Sequence, residues 1–197
     1  MLADPETPPD KRAQLLRGRH RIDHPDTLRP TQPVLESGSV AIAGRTLDIR
    51  VAPFAATEAD LWIYDPGTKL AIVGDLVVDL VPFMDTACLE GWIEALDELE
   101  KVPFETLIPG HGPAMSRADF LAWKSAFNNL VGCGRSDADM SDCIAGWERD
   151  AERFIPESHR AYVREALDDY ISTRLRSSIE EQARFCKPLG DDGERAG

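Results

Sequence analysis

The run from Asp60 to Pro113 constrains this chain most, because it spells out two apolar stretches joined by a tight turn, an amphipathic helix, and a third stretch closed by glycines and prolines. Leu61-Trp62-Ile63-Tyr64 and Leu70-Ala71-Ile72-Val73 flank Asp65-Pro66-Gly67. In such a turn proline presets the first corner and glycine is free to take positive φ. Both stretches are apolar enough to be buried on two faces, so each side of the sheet is expected to be covered. The second stretch ends on Gly74-Asp75-Leu76. Leu89, Trp92, Ile93, Leu96 and Leu99 then recur at helical spacing, with Asp85 or Thr86 placed to cap the helix and Glu90, Glu94, Asp97 and Glu98 on its other side. A strand over about 105–108 leads into Pro109-Gly110-His111-Gly112-Pro113.

Around this run the pattern is mixed. Residues 1–33 are rich in proline and arginine, offer one short helix near Lys11 to Arg19, and read as a flexible leader. Val40 and Ile42, then Leu47, Ile49 and Val51, alternate with polar or small residues on either side of Gly44, as in a hairpin. Downstream, Ser116 and Asp119 have the spacing of a capping box ahead of Phe120, Trp123, Phe127 and Leu130. Two further helices are expected over about 138–154, with Ile144, Trp147 and Ala151 inward, and 158–184, with Tyr162, Ala166, Tyr170 and Ile171 inward. The organisation predicted is a leader (1–33), a mixed α+β region (34–131), a helical extension (132–189) and a disordered tail (190–197).

Composition narrows the partners. A formal charge of −13 and no basic stripe interleaved with aromatics argue against nucleic acid. No apolar run reaches the length of a membrane span, and the start lacks the order of a secretory signal, so a soluble chain with no address of its own is expected. Four cysteines give no zinc-finger spacing. Cys133 and Cys143, flanking a polar loop, either close a local disulfide in an oxidising compartment or serve as ordinary small residues.

Asp75 and His111 carry the chemistry. Each is delivered at a strand end by glycine-flanked turns, and carboxylate with imidazole is a donor pair that zinc accepts. His20-Arg21-Ile22-Asp23-His24 also offers two imidazoles and a carboxylate, but Pro25 follows and no apolar strand precedes it, so solvated histidines in a basic linker are expected. His159, just after a proposed helix cap, reads as an exposed first-turn residue.

The order strand, Gly-Asp, amphipathic helix, strand, Pro-Gly-His-Gly resembles the second half of the metallo-β-lactamase superfamily. The Trp92 helix, the His111 turn and the trailing helices look most like its exported quinoprotein-relay-type zinc metallohydrolases. The resemblance implies a four-layer αββα sandwich, seen here as its C-terminal half with extra C-terminal helices, and a cleft for one or two zinc ions. It implies that Asp75 matches the aspartate bridging the two metals and that His111 completes the second site. The family's remaining histidine falls in a Gly-His-Thr-x-Gly-Asp turn, which here reads Ala55-Ala56-Thr57-Glu58-Ala59-Asp60, and Ala56 cannot ligate. Nothing in the first 54 residues reads as the His-x-His-x-Asp-His cluster that supplies most ligands and the general base.

The expected function follows from that resemblance. Complete relatives hydrolyse ester, thioester or amide bonds of small-molecule substrates with zinc. This chain is expected to carry a degenerate or truncated metal site, with Asp75 and His111 as metal ligands, no confident catalytic residue, and weak or absent zinc. The alternative is a non-catalytic binding module, or a half that self-associates or needs a partner chain to supply the missing strands. Leu61, Ile63, Leu70 and Ile72 would give such a partner an apolar face.

Overall fold

A computed structural model describes residues 30–188. The chain divides into two units, Met1–Leu35 and Glu36–Gly197, and the second carries every strand and helix described.

Its sheet grows by hairpins. β1 (Gly38–Ile42) and β2 (Arg45–Pro53) are joined by Ala43-Gly44, both at positive φ, which matches a two-residue turn to the twist of the strands. β3 (Ala59–Asp65) and β4 (Leu70–Val78) continue the antiparallel order. Helix α1 (Leu89–Glu100) then crosses over to β5 (Thr106–His111), parallel to β4, and the short β6 (Met115–Ser116) closes the order β1-β2-β3-β4-β5-β6. α2 (Arg117–Gly134), α3 (Met140–Asp150), α4 (Arg160–Tyr170) and the short α5 (Ile179–Ala183) complete the unit. This is the α+β class expected.

Three turns and caps differ from the sequence reading. In the β3–β4 connection it is Lys69, at φ 53°, that takes the left-handed conformation, not Gly67. The Asp65 carboxylate accepts from Gly67 N–H at 2.9 Å and from the Thr68 hydroxyl at 2.7 Å, so the side chain holds the glycine in place of a glycine-type corner. α1 is capped by neither Asp85 nor Thr86. Its N-cap is Cys88, which has no side-chain cap bond, and its N–H instead donates to Ala55 O at 2.9 Å. β4 does not stop at Gly74 but runs to Val78.

The helical extension is more broken than its periodicity suggests. A 3-10 turn (Glu152–Phe154) follows α3, and α4 widens into a π-type turn (Ile171–Leu175) before Ser178 restarts α5 by accepting from Glu181 N–H. The inward stripe of α4 and its wide turn is Val163, Leu167, Tyr170, Ile171 and Leu175, while Tyr162 is exposed because it stands one position off that stripe. Cys133–Cys143 does form a disulfide, and a second one, Cys88–Cys186, joins the start of α1 to the turn that follows α5.

The core lies between the helices and one face of the sheet: Trp62, Tyr64, Ala71, Val73 and Leu107 are buried with Trp92, Leu96, Phe120, Trp123 and Phe127. The other face is apolar and open. Ile49, Ile63, Ile72 and Ile108 stand side by side across four strands, with Leu61 beside Val51 in the neighbouring row. Of these, Leu61 is 38%, Ile72 44% and Ile108 36% exposed, while Ile49 is buried and Ile63 half-buried, so the face is open toward β4 and β5. Burial of the strands on both faces is therefore not met here.

The Ser116–Asp119 capping box is present in both directions, with Asp119 N–H to the Ser116 hydroxyl and Ser116 N–H to the Asp119 carboxylate. Those Ser116 bonds, helped by Arg153, hold the Asp119 carboxyl below its ordinary range. Ser116→Ala is expected to cost about 1 kcal/mol in chemical denaturation at neutral pH. A carboxyl lowered on folding contributes above its unfolded pKa near 3.8 and loses that contribution as pH falls through the folded value, so the wild-type advantage should shrink in strong acid to the part held by the Asp119 N–H bond to the Ser116 hydroxyl.

Candidate metal centre

β4 and β5 run in register from Leu70 and Thr106 to Ile72 and Ile108, and then separate. Gly74 opposes Pro109 and Val78 opposes His111, so β4 takes four steps where β5 takes two. Gly74 makes this possible by adopting φ 54°. The surplus residues begin with Asp75, whose carboxylate turns toward the end of β5. Its Oδ1 lies 3.6 Å from His111 Nε2, with both side chains about half exposed.

Gly110 permits that approach. A Cβ there would meet the Asp75 carboxylate and would lie 2.7 Å from the Gly74 carbonyl carbon and 2.8 Å from Asp75 N. Phe83 packs edge-on against the imidazole with ring centroids 5.4 Å apart, and His111 O accepts from Asp79 N–H at 3.1 Å.

A set of indoles holds the bulged strand. Trp92 of α1, Trp123 of α2 and Trp147 of α3 donate Nε1–H to the carbonyls of Leu76, Val78 and Leu80 at 2.9, 2.7 and 2.8 Å. Alternate carbonyls of an extended chain point the same way, as those of Leu76 and Val78 do in β4, while Leu80 lies just past its end. Each of three helices thus satisfies one carbonyl of the segment after Asp75, where pairing with β5 is irregular. All three rings are buried, and in the sequence they stand out only as apolar stripe residues.

Asp60 joins the site's electrostatics. Its carboxyl is raised above the ordinary range chiefly by burial, with the negative charge of Asp75 adding to the effect. It is held by Thr57 N–H at 2.7 Å, in the turn that places Ala56, which is buried. In the sequence this turn is notable only for its missing histidine, although Asp60 stands at its end.

Two donors on one tetrahedral zinc stand about 3.3 Å apart, so the 3.6 Å between Asp75 and His111 matches a shared ion in distance. It does not match in number. Among the described residues, the one cluster of three metal-type donors is Cys88, Glu90 and Cys186, and its two sulfurs are bonded to each other rather than free as thiolates. His20, Asp23 and His24 lie outside the described residues. His159 is exposed on the 3-10 turn Glu157–His159, 3.1 Å from the Ser158 hydroxyl.

The sequence profile of the metallo-beta-lactamase superfamily matches residues 3–111, starting inside the stretch expected to be a leader. No curated protein matches the sequence significantly. Among solved structures, a stereoselective inverting sec-alkylsulfatase from Pseudomonas sp. is 15% identical, covering 76% of this chain and 28% of its own, with a TM-score of 0.51. A metallo-beta-lactamase from Pontibacter korlensis is 18% identical, covering 59% of this chain and 62% of its own, with a TM-score of 0.44. A metallo-beta-lactamase family protein from Thermus thermophilus is 12% identical, covering 87% and 61%, with a TM-score of 0.45. This chain therefore spans less than two thirds of the length of each of them.

Proposed function

Because the chain belongs to the metallo-beta-lactamase superfamily, we propose that Asp75 and His111 are two inherited ligands of a zinc cleft, and that the chain alone has little or no hydrolytic activity. The close approach of Asp75 Oδ1 to His111 Nε2, at a bulge that Gly74 and Gly110 make possible, carries this reading. Zinc in complete relatives would supply an acidified water for attack on an ester, thioester or amide of a small molecule. Here the residues in hand orient and hold: Asp75 and His111 offer two donors, and Asp60 contributes nearby negative charge. A catalytic zinc takes about three protein ligands and a structural zinc four, so two leave the ion weakly held.

Equilibrium dialysis tests this. The chain should retain well under one zinc at micromolar supply and bind more at millimolar supply, with the increment lost in Asp75→Ala and in His111→Ala. Stoichiometric zinc at micromolar supply would overturn the reading and favour an active enzyme recruiting His20 or His24. Uptake that ignores both substitutions would overturn the assignment of Asp75 and His111 as its ligands, and no uptake even at millimolar supply would favour a non-catalytic binding module.

The exposed Leu61, Ile72 and Ile108 favour a second element of the same reading: the open part of this sheet face takes another sheet, from a second copy or a partner chain. Size-exclusion chromatography of the isolated chain should give a dimer or larger species, or bright binding of an apolar dye. Ile72→Asp should reduce either signal several-fold. A monomer that binds no dye would contradict it.

A further inference from the structure

The loop 79–88 between β4 and α1 walls the Asp75–His111 site and has little structure of its own. It starts with Asp79 N–H on His111 O, carries Phe83 to the edge of the His111 ring, and ends at Cys88. Among the described residues, backbone bonds inside it run only from Val81 to Asp79 and from Ala87 to Met84. Leu80 sits at φ 60°, a region an ordinary side chain adopts at a cost. Something outside the loop must keep it there.

The residues after Met140 supply that hold at five of its ten positions. Leu80 is gripped on both sides: its N–H donates to Phe154 O at 3.4 Å and its carbonyl accepts from Trp147 at 2.8 Å. Tyr170 O–H donates to the Asp85 carboxylate at 2.7 Å. Buried Arg174 reaches in from the π-type turn, giving Nε–H to Met84 O at 3.0 Å and Nη2–H to Ala87 O at 3.1 Å. Its guanidinium lies 4.4 Å over the ring of Phe185, and the next residue, Cys186, is bonded to Cys88 at the loop's end. A buried guanidinium satisfied by backbone carbonyls fixes geometry in a way an apolar side chain cannot.

We propose that the C-terminal extension is a clamp on loop 79–88 that sets the Phe83–His111 contact, with Arg174 as its central positioning residue and the Cys88–Cys186 disulfide closing it. The clamp rests on His111 being the site residue. It concerns ring geometry and needs no metal, so it can fail or stand apart from zinc binding.

The test is NMR of the metal-free full chain, reading the ring-current shift of the His111 Cε1 proton and amide exchange along residues 70–88. Phe83→Leu defines the ring-current signal by removing it. Arg174→Met should shift the His111 signal toward that of Phe83→Leu and speed exchange in the loop by about tenfold or more, while leaving residues 70–73 protected. Arg174→Lys, which keeps one donor, should recover part of the signal. If Arg174→Met does not fold, Tyr170→Phe and the Cys88→Ala/Cys186→Ala double variant decide by the same two readings. Variants that lower Tm but leave His111 at its wild-type position would overturn the clamp, because a merely structural role predicts that pattern. A His111 signal that follows the clamp in a chain showing no zinc response would support the clamp and sink the metal reading alone.

Discussion

Replacing Trp123 with alanine is expected to lower the free energy of unfolding by about 3–5 kcal/mol, read from denaturant transitions monitored by far-UV circular dichroism. The ring is fully buried, stacked on Phe127 at 5.5 Å and edge-on to Trp147 at 6.4 Å, so its loss opens a large cavity at the meeting of α2 and α3. The Val78 carbonyl also loses its donor, at 2.7 Å in the native chain. Leaving such a carbonyl buried and unpaired costs about 1–3 kcal/mol. Trp123→Phe separates the two effects, since it keeps most of the apolar volume and loses only the donor. It should cost less than half as much as alanine. With typical domains stable by about 5–15 kcal/mol, the alanine variant should be close to unfolding at 37 °C. Equal costs for the two variants would mean that packing contributes little and the indole donor nearly everything.

Gly110→Ala is the second large effect, and it links stability to the site. The added methyl would lie 2.7 Å from the Gly74 carbonyl carbon and 2.8 Å from Asp75 N, both backbone atoms that no rotamer change can move aside. β4 and β5 must part locally, at about 1–3 kcal/mol, and the Asp75 carboxylate must leave the space beside His111. A site response to zinc should be lost even though both donors remain in the sequence. Gly132→Ala is the control. It sits in α2 with nothing within 4 Å of the new methyl, and should stabilise the chain by about 1 kcal/mol through helix propensity. Destabilisation by both would mean that the chain resists any added methyl, not that strand approach at Gly110 is special.

Sequence pattern carried the local parts of this account. Helical spacing placed Trp92, Leu96 and Leu99 inward, the Ser116–Asp119 spacing gave a complete capping box, and the flanking glycines marked the place where Asp75 meets His111, although Asp75 lies in a bulge inside β4 and not at its end. These depend on neighbours a few residues apart, or on one strand-helix-strand unit. What pattern did not reveal depends on partners remote in sequence. The indole bonds from Trp123 to Val78 and from Trp147 to Leu80 join residues 45 and 67 apart. A stripe shows only that a tryptophan faces inward, not which carbonyl it meets. Cys88–Cys186 spans 98 residues, and four cysteines admit three pairings with no local rule to choose among them. Asp85 read as a helix cap because its distant partner, Tyr170, could not be foreseen. The role of Gly110 is likewise set by space on the neighbouring strand and not by its own backbone.

The most direct test of the central claim is a zinc titration followed at the imidazole nitrogens of the histidines by two-dimensional NMR. The account predicts that His111 Nε2 moves progressively at sub-millimolar to millimolar zinc, that His159 stays still, and that Asp75→Ala removes the His111 response. A His111 resonance indifferent to zinc, or one that moves equally in the Asp75→Ala chain, would mean that the two side chains do not share an ion.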